Sequence, residues 1–193
     1  MQLPVGAWNY HGKGGVFAWA DLRAAATSGT VNQTLAKIKS SNNGGGSYTI
    51  NRVLMGWDLT PFGSVIQALL KVTDIAGDLT PTRIHVSDVT PQSVVTADAS
   101  ANFRKMYDAY GADPIGAMSL VSGLVHQRDV TAWWNAHVGG WAWLGLVETD
   151  YDKAGTTPGV STHQCLIEKP GDTGYPFLEY SAGPGIIGDG IMP

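Results

Sequence analysis

Carboxylates come first, because a pair across a cleft does acid–base work and a cluster of them holds calcium. Glu148, Asp150 and Asp152 alternate, and on a strand that spacing puts all three on one face. Like charges so placed repel unless something neutralises them, which makes these residues, with Asp58, the calcium candidates of the chain. Each has a plainer reading. Asp58 precedes Leu59-Thr60-Pro61, where an aspartate caps a turn by accepting backbone N–H bonds, and the acidic run suits a solvated strand end. No other cofactor is indicated.

Nucleophiles and metal-binding histidines lack their usual spacing. His11, His85, His126, His137 and His163 lie far apart, with no HxH or HExxH pattern, and no GxSxG occurs. Cys165 is the single cysteine, so no intrachain disulfide forms. His163 shares its strand face as a candidate thiolate partner, but nothing supplies an orienting third group, and a buried inert thiol is expected. Gly44-Gly45-Gly46 lacks the Lys-Ser/Thr ending and the following helix of a phosphate loop. A glycosidase would need two facing carboxylates, and no pair stands out. The expectation is a protein that is not an enzyme and has no catalytic residues.

Flat aromatic rings stack on sugars, and the chain has seven tryptophans. Trp8, Tyr10 and Trp19 fall in the least regular stretch and are the candidates for a glycan-binding platform or an intersubunit anchor. Trp141 and Trp143 alternate in apolar context and are expected in the core. Trp133 and Trp134 diverge from a short helix, and one of them is expected to cover the mouth of the domain.

Many short strands separated by Gly, Pro and Asn turns organise the chain. A strand is expected within residues 16–19, and another through Ala36, Ile38 and Ser40, ending in the loop 41–47. The run 48–59 alternates Tyr48, Ile50, Arg52 and Leu54 against Thr49, Asn51, Val53, Met55 and Trp57. The run 65–78 is compatible with a helix by propensity, but its length and the flanking Pro61, Gly63 and Gly77 favour a central strand, and 82–89, 119–125, 141–151, 165–169 and 175–181 read as further ones. Phe103, Met106, Tyr107 and Tyr110 recur at helical spacing, and a short helix starting at an Asp129 cap is expected over 129–138. The fold class is therefore all-β: a sandwich or jelly roll with one or two short inserted helices and Gly-rich terminal arms. It is read as one domain over 1–182, with an N-terminal arm over about 1–15 that wraps the domain or forms an irregular strand. Residues 183–193 form a Gly/Pro-rich tail whose Ile186, Ile187, Ile191 and Met192 are the candidate assembly arm.

Composition narrows the partners. Of 193 residues, 44% are hydrophobic and only 15% charged, against about 25% in an average soluble domain. So little charge suggests a surface hidden against copies of the chain or a larger particle. The 12 basic residues are scattered, the net charge is -4, and nucleic acid is not an expected partner. No run approaches the roughly 20 apolar residues of a membrane span, so no membrane insertion is expected. Gln2, Leu3, Pro4 and Val5 after Met1 do not resemble a signal peptide, so synthesis in a host cytoplasm without export is expected.

Three stretches carry a likeness to a known family. In NRVLMGWDLTPFGSVIQALLKV, Arg52, Trp57, Asp58, Leu59, Thr60, Val65, Ala68 and Leu70 fall on one pattern, with Trp57 where the pattern has Phe. In DVTAWWNAHVGGWAWLGLVETDYD the short Asp-Val-Thr turn precedes a strand with Gly145 and Leu146, and in YPFLEYS the matching positions are Pro176, Leu178 and Tyr180. The chain so resembles jelly-roll domains of the DNRLR type, carbohydrate-binding-module-like domains found in extracellular proteins and phage structural proteins. The resemblance implies a domain that decorates a larger assembly or binds glycans, and it supplies no catalytic residue. The expected function is a non-enzymatic virion protein of a bacteriophage (capsid decoration, fibre or tail-associated) that forms a homo-oligomer, a trimer by analogy, and packs on a capsid or tail protein. The alternative is a carbohydrate-binding module or receptor-binding domain using exposed aromatics.

Overall fold

The computed structural model describes residues 1–33, 36–77, 82–91, 99–109, 115–159, 162–167, 169 and 176–182. They form a mostly-β domain built on one large sheet. Its strands are β1 (Gln2–Pro4), β2 (Ala7–Val16), β3 (Thr30–Asn32), β4 (Ala36–Gly44), β5 (Ser47–Asp58), β6 (Val65–Gly77), β7 (Thr82–Asp88), β8 (Gly116–Leu120), β9 (Val125–Asp129), β10 (Trp141–Glu148), β11 (Thr162–Ile167) and β12 (Phe177–Ala182). Three short helices interrupt them: α1 (Trp19–Arg23), α2 (Asn102–Ala109) and α3 (Thr131–His137).

The ladder runs β6–β11–β4–β5–β10–β7–β8. β9 follows β8 after the turn 121–124 and pairs with β6 again, Val72 facing His126 and Lys71 facing Gln127. The path thus returns to where it started, with one step unpaired: among the described residues no ladder joins β8 to β9. Arg128 bridges that seam. Its Nε donates to the Ile115 carbonyl at 2.6 Å and its Nη1 to the Ala117 carbonyl at 3.2 Å, so a side chain does what a strand pair does elsewhere. β12 and β1 extend from the first half of β6, and β2 pairs with β5 from Ala7 to Val16.

Alternation decides which side chains go inside. Val53, Met55 and Trp57 of β5 meet Ala142, Leu144 and Leu146 of β10, Ile84 and Val86 of β7, Ala68, Leu70 and Val72 of β6, and Cys165 and Ile167 of β11 in the main core. α3 caps one end of that core with Trp133 and Trp134. The opposite face of β5 and β10 is also covered. Leu54, Trp143 and Val147 pack under α2 through Met106, and Ile50 packs with Trp19 and Leu22 of α1 and with Phe103. A helix can lie this close because Gly145 has no side chain: a Cβ there would stand 2.7 Å from Val89 and 2.9 Å from Met106.

Of the two readings of the stretch over 1–15, a wrapped arm or an irregular strand, the strand holds for Ala7–Val16, paired along its length with β5. Three expectations need correction. Trp19 begins α1 instead of ending a strand over 16–19. Residues 119–125 are not one strand but the end of β8, a turn at Gly123 (φ +81°) and the start of β9. α3 starts at Thr131, because the Asp129 carboxylate accepts the Thr131 N–H at 2.8 Å and shapes the turn before the helix.

Candidate functional site

The calcium candidates are each engaged elsewhere. Asp152 is fully buried and takes both Nε and Nη2 of the equally buried Arg52 at 2.8 Å. Arg52 also donates to the carbonyls of Phe103 and Arg23, and its guanidinium lies 4.0 Å from the centre of the Phe103 ring. Glu148 ends β10 with its carboxylate turned onto the π-helical turn Thr149–Lys153, where it accepts the N–H groups of Asp150, Tyr151 and Asp152 at 2.6–3.0 Å. Burial raises the Glu148 pKa, and those amides pull against it. Asp150 pairs with Arg83 at 2.9 Å. Asp58 accepts the Thr60 N–H at 2.9 Å, a bond that lowers its pKa, so the turn-cap reading holds for it. The three acidic side chains do not share a strand face, and among the described residues no group of three or more His, Cys, Asp or Glu is arranged to hold a metal ion.

His11 lies in the same buried layer, directly across from Arg52 in the β2–β5 ladder. Neither ring nitrogen has a hydrogen-bond partner, and burial, reinforced by the Arg52 charge, lowers its pKa from 6.5 to about 4.

Two of the three aromatic candidates are closed off from solvent. Trp8 is 7% exposed in the main core, and Trp19 is 5% exposed between Ile50 and Leu22. Tyr10 is half-buried against the core, which raises its pKa. Irregular-looking sequence had suggested exposure, but β2 and α1 turn these rings inward. Cys165 is buried in the core, as expected. Ile186, Ile187, Ile191 and Met192 lie outside the described residues.

Two aromatics among the described residues are open to solvent, Phe17 at 46% and Trp141 at 48%. Trp141 is the one set in a built environment. It stacks on Trp143 with ring centres 5.5 Å apart and planes 21° from parallel. Glycines make room for both: a Cβ on Gly6 would come within 3.0 Å of Trp141, and one on Gly56 within 2.5 Å of Trp143. The loop ahead of Trp141 is tied to the end of β5, Leu59 N–H donating to the Gly140 carbonyl at 2.8 Å and Gly139 N–H to the Leu59 carbonyl at 3.1 Å. The expectation of core packing holds for Trp143, 7% exposed in the cluster under α2, and is corrected for Trp141, which lies on the same face of β10 but is open.

At the same end of the sheet, the mouth of the main core holds a cavity of about 220 Å³ lined by residues of β7, β9 and α3. Its polar groups are Asp88, Asp129 and His137. His137 Nδ1 lies 2.8 Å from the Trp133 carbonyl and its Nε2 3.3 Å from the Asp88 carboxylate, so the ring is held at both nitrogens. The Asp129 carboxyl is kept below its ordinary pKa by the Thr131 hydrogen bonds. Trp133, Val130 and Ile115 supply apolar walls. This is the chemistry of a small binding mouth with charged groups at its rim. Sequence reasoning missed it because His137 and Asp88 meet only through the β7–β10 pairing, although the Trp133–His137 spacing on α3 was visible.

No protein-family model matches the chain, and no curated protein matches it in sequence.

Proposed function

We propose that the chain is a non-enzymatic structural protein of a virion, a jelly-roll sandwich that associates with copies of itself and packs on a larger particle such as a capsid or tail. One observation carries the self-association: Ile75, Val121, Leu124 and Val125 are 44%, 42%, 55% and 62% exposed. They gather at one tip, where the β8–β9 turn is tied to β6 through the Gly123 N–H and the Asp74 carbonyl. Exposed apolar side chains clustered in this way favour burial against a partner. With 15% charged residues the remaining surface opposes association only weakly. The engagement of Glu148, Asp152 and Asp58 in holding the fold agrees with a role that needs no chemistry. The enclosed core and the resemblance to DNRLR-type domains support the jelly-roll reading and the phage setting.

Light scattering on the full chain over a range of concentrations tests the proposal. An oligomer of defined mass is expected. A 20.4 kDa monomer at every concentration overturns self-association. The second reading, a carbohydrate-binding or receptor-binding domain, is favoured by the open face of Trp141. It predicts glycan-dependent quenching of indole fluorescence that is lost in Trp141→Ala.

A further inference from the structure

The turn that presents the exposed apolar tip is closed by a histidine. Residues 121–124 carry β8 into β9, where the Gly123 N–H donates to the Asp74 carbonyl at 2.6 Å and the Leu124 N–H to the Val121 carbonyl at 3.2 Å. The Val121 N–H is taken by a side chain, His126 Nε2, at 2.8 Å, and that same nitrogen lies 3.1 Å from the Val121 carbonyl oxygen. One ring atom therefore faces both the donor and the acceptor of one residue. It accepts only while it carries no hydrogen, so the bond from the Val121 N–H belongs to the neutral ring with its hydrogen on Nδ1. Protonation ends that bond and makes Nε2 a donor towards the carbonyl that Leu124 already uses.

The rest of His126 stays where it is. Its backbone pairs with Val72 in the β6–β9 ladder, so the turn must answer to the ring and not the reverse. Among the described residues, the charged groups on the elements packed around it are Lys71 and Asp74 of β6 and Arg128 and Asp129 of β9, while β8 and the turn carry none. Each is engaged elsewhere. Lys71 reaches Gln127, buried Asp74 accepts the Leu166 N–H at 3.2 Å, Arg128 holds the Ile115 and Ala117 carbonyls, and Asp129 accepts the Thr131 N–H.

We propose that His126 is a pH latch on the self-association tip: its neutral ring holds the turn in the associating form, and its protonated ring releases the Val121 amide and weakens the assembly. Two effects act in that direction. An imidazolium beside Leu124 and Val125 must lose water when a partner covers the tip, and a freed Val121 N–H buried in the contact is left without an acceptor. Overall charge acts the other way. The chain carries -4 at pH 7, and acidification lowers the repulsion between copies. The consequence for assembly rests on the self-association reading given above, whereas the hydrogen bond that forms the latch stands without it.

The test has two readouts on the full chain, each taken from about pH 8 to about pH 5, the range over which histidines as a class change charge. In dilute nitrogen-15-labelled protein, a scalar coupling across the hydrogen bond between the Val121 amide nitrogen and His126 Nε2 is expected at the upper pH and is lost as the ring takes up its proton. Its absence with the ring neutral overturns the latch whatever the chain does in solution. Light scattering over a range of concentrations then gives the dissociation constant of the assembly, which should rise about tenfold or more on acidification. In His126→Gln, whose carboxamide oxygen accepts the Val121 N–H at every pH, that rise should vanish. An assembly whose dissociation constant does not rise in acid, or rises equally in His126→Gln, overturns the regulation and leaves self-association standing. A monomer at every pH and concentration overturns the self-association reading and the regulation with it, while the coupling still reports the bond.

Discussion

Arg52 and Asp152 are an ion pair with no solvent contact on either side chain, and their surroundings determine what a substitution does. Removing one partner strands the other charge in the interior, which costs about 3–5 kcal/mol, whereas replacing both with apolar groups of similar volume is often neutral. Asp152→Asn should therefore lower unfolding stability by about 3 kcal/mol, while Arg52→Met with Asp152→Leu should lose clearly less, both read by urea denaturation. His11 gives a dependence on pH. Its folded pKa, about 4, lies below the ordinary 6.5, so the fold holds the ring neutral and the unfolded chain takes up the proton first. The contribution is complete above pH 6.5 and is lost as pH falls towards 4, a span worth about 3 kcal/mol. Glu148 acts in the opposite sense, since its raised pKa favours the fold on acidification. The difference between the parent chain and His11→Gln isolates the histidine. It should shrink steadily between pH 6.5 and 4, and a constant difference would show that the ring protonates freely in the fold.

At the scale of elements, contact across the sheet depends on residues that are missing a side chain. α2 sits on β10 over Gly145, and Trp143 lies on β5 over Gly56. Gly145→Ala forces the new methyl into Val89 and Met106, an overpacking that costs about 1–3 kcal/mol. Amide exchange should accelerate in α2 before it does in β10, because the helix can lift while the strand stays paired on both edges. Equal acceleration in both would mean that α2 and the sheet open as one unit. These elements also mark what the sequence reveals and what it conceals. The strands β5, β7 and β10 were legible because their alternation of apolar residues is uninterrupted, and α2 because Phe103 and Met106 recur at helical spacing. β2 was not, because Gly12, Gly14 and Gly15 break its pattern. Gly12 and Gly14 nevertheless lie where a side chain would press on Tyr10 and on Thr49, so they read as close-contact positions once the strand is known. The acidic run failed for another reason. Spacing by two describes a strand, yet Glu148 accepts three successive amides and draws the chain into a π-helical turn, an interaction no periodicity encodes. Asp58 was legible because a turn cap is local; the Asp88–His137 contact was not, because only the folded sheet brings the two together.

The whole molecule joins a near-complete ring of strands to a surface with few charges. Arg128 bridges the step where, among the described residues, β8 and β9 do not pair, and the turn between them carries Val121 and Leu124 into solvent, with Val125 just beyond. In the proposed assembly, contact at this tip falls beside the seam, where among the described residues no ladder joins β8 to β9. Burying an apolar side chain there contributes about 25 cal/mol per Å², so even a modest shared patch shifts the equilibrium at high concentration, while a carboxylate in its place must lose its water on contact. Leu124→Glu with Val125→Glu should therefore move the light-scattering mass toward 20.4 kDa at concentrations where the parent chain is larger. Neither side chain belongs to the core, so the thermal unfolding midpoint of the dilute protein should change little. A variant that keeps the parent's mass would place the contact elsewhere on the surface, and the exposed Val16 and Phe17 beyond the end of β2 would be the next residues to charge.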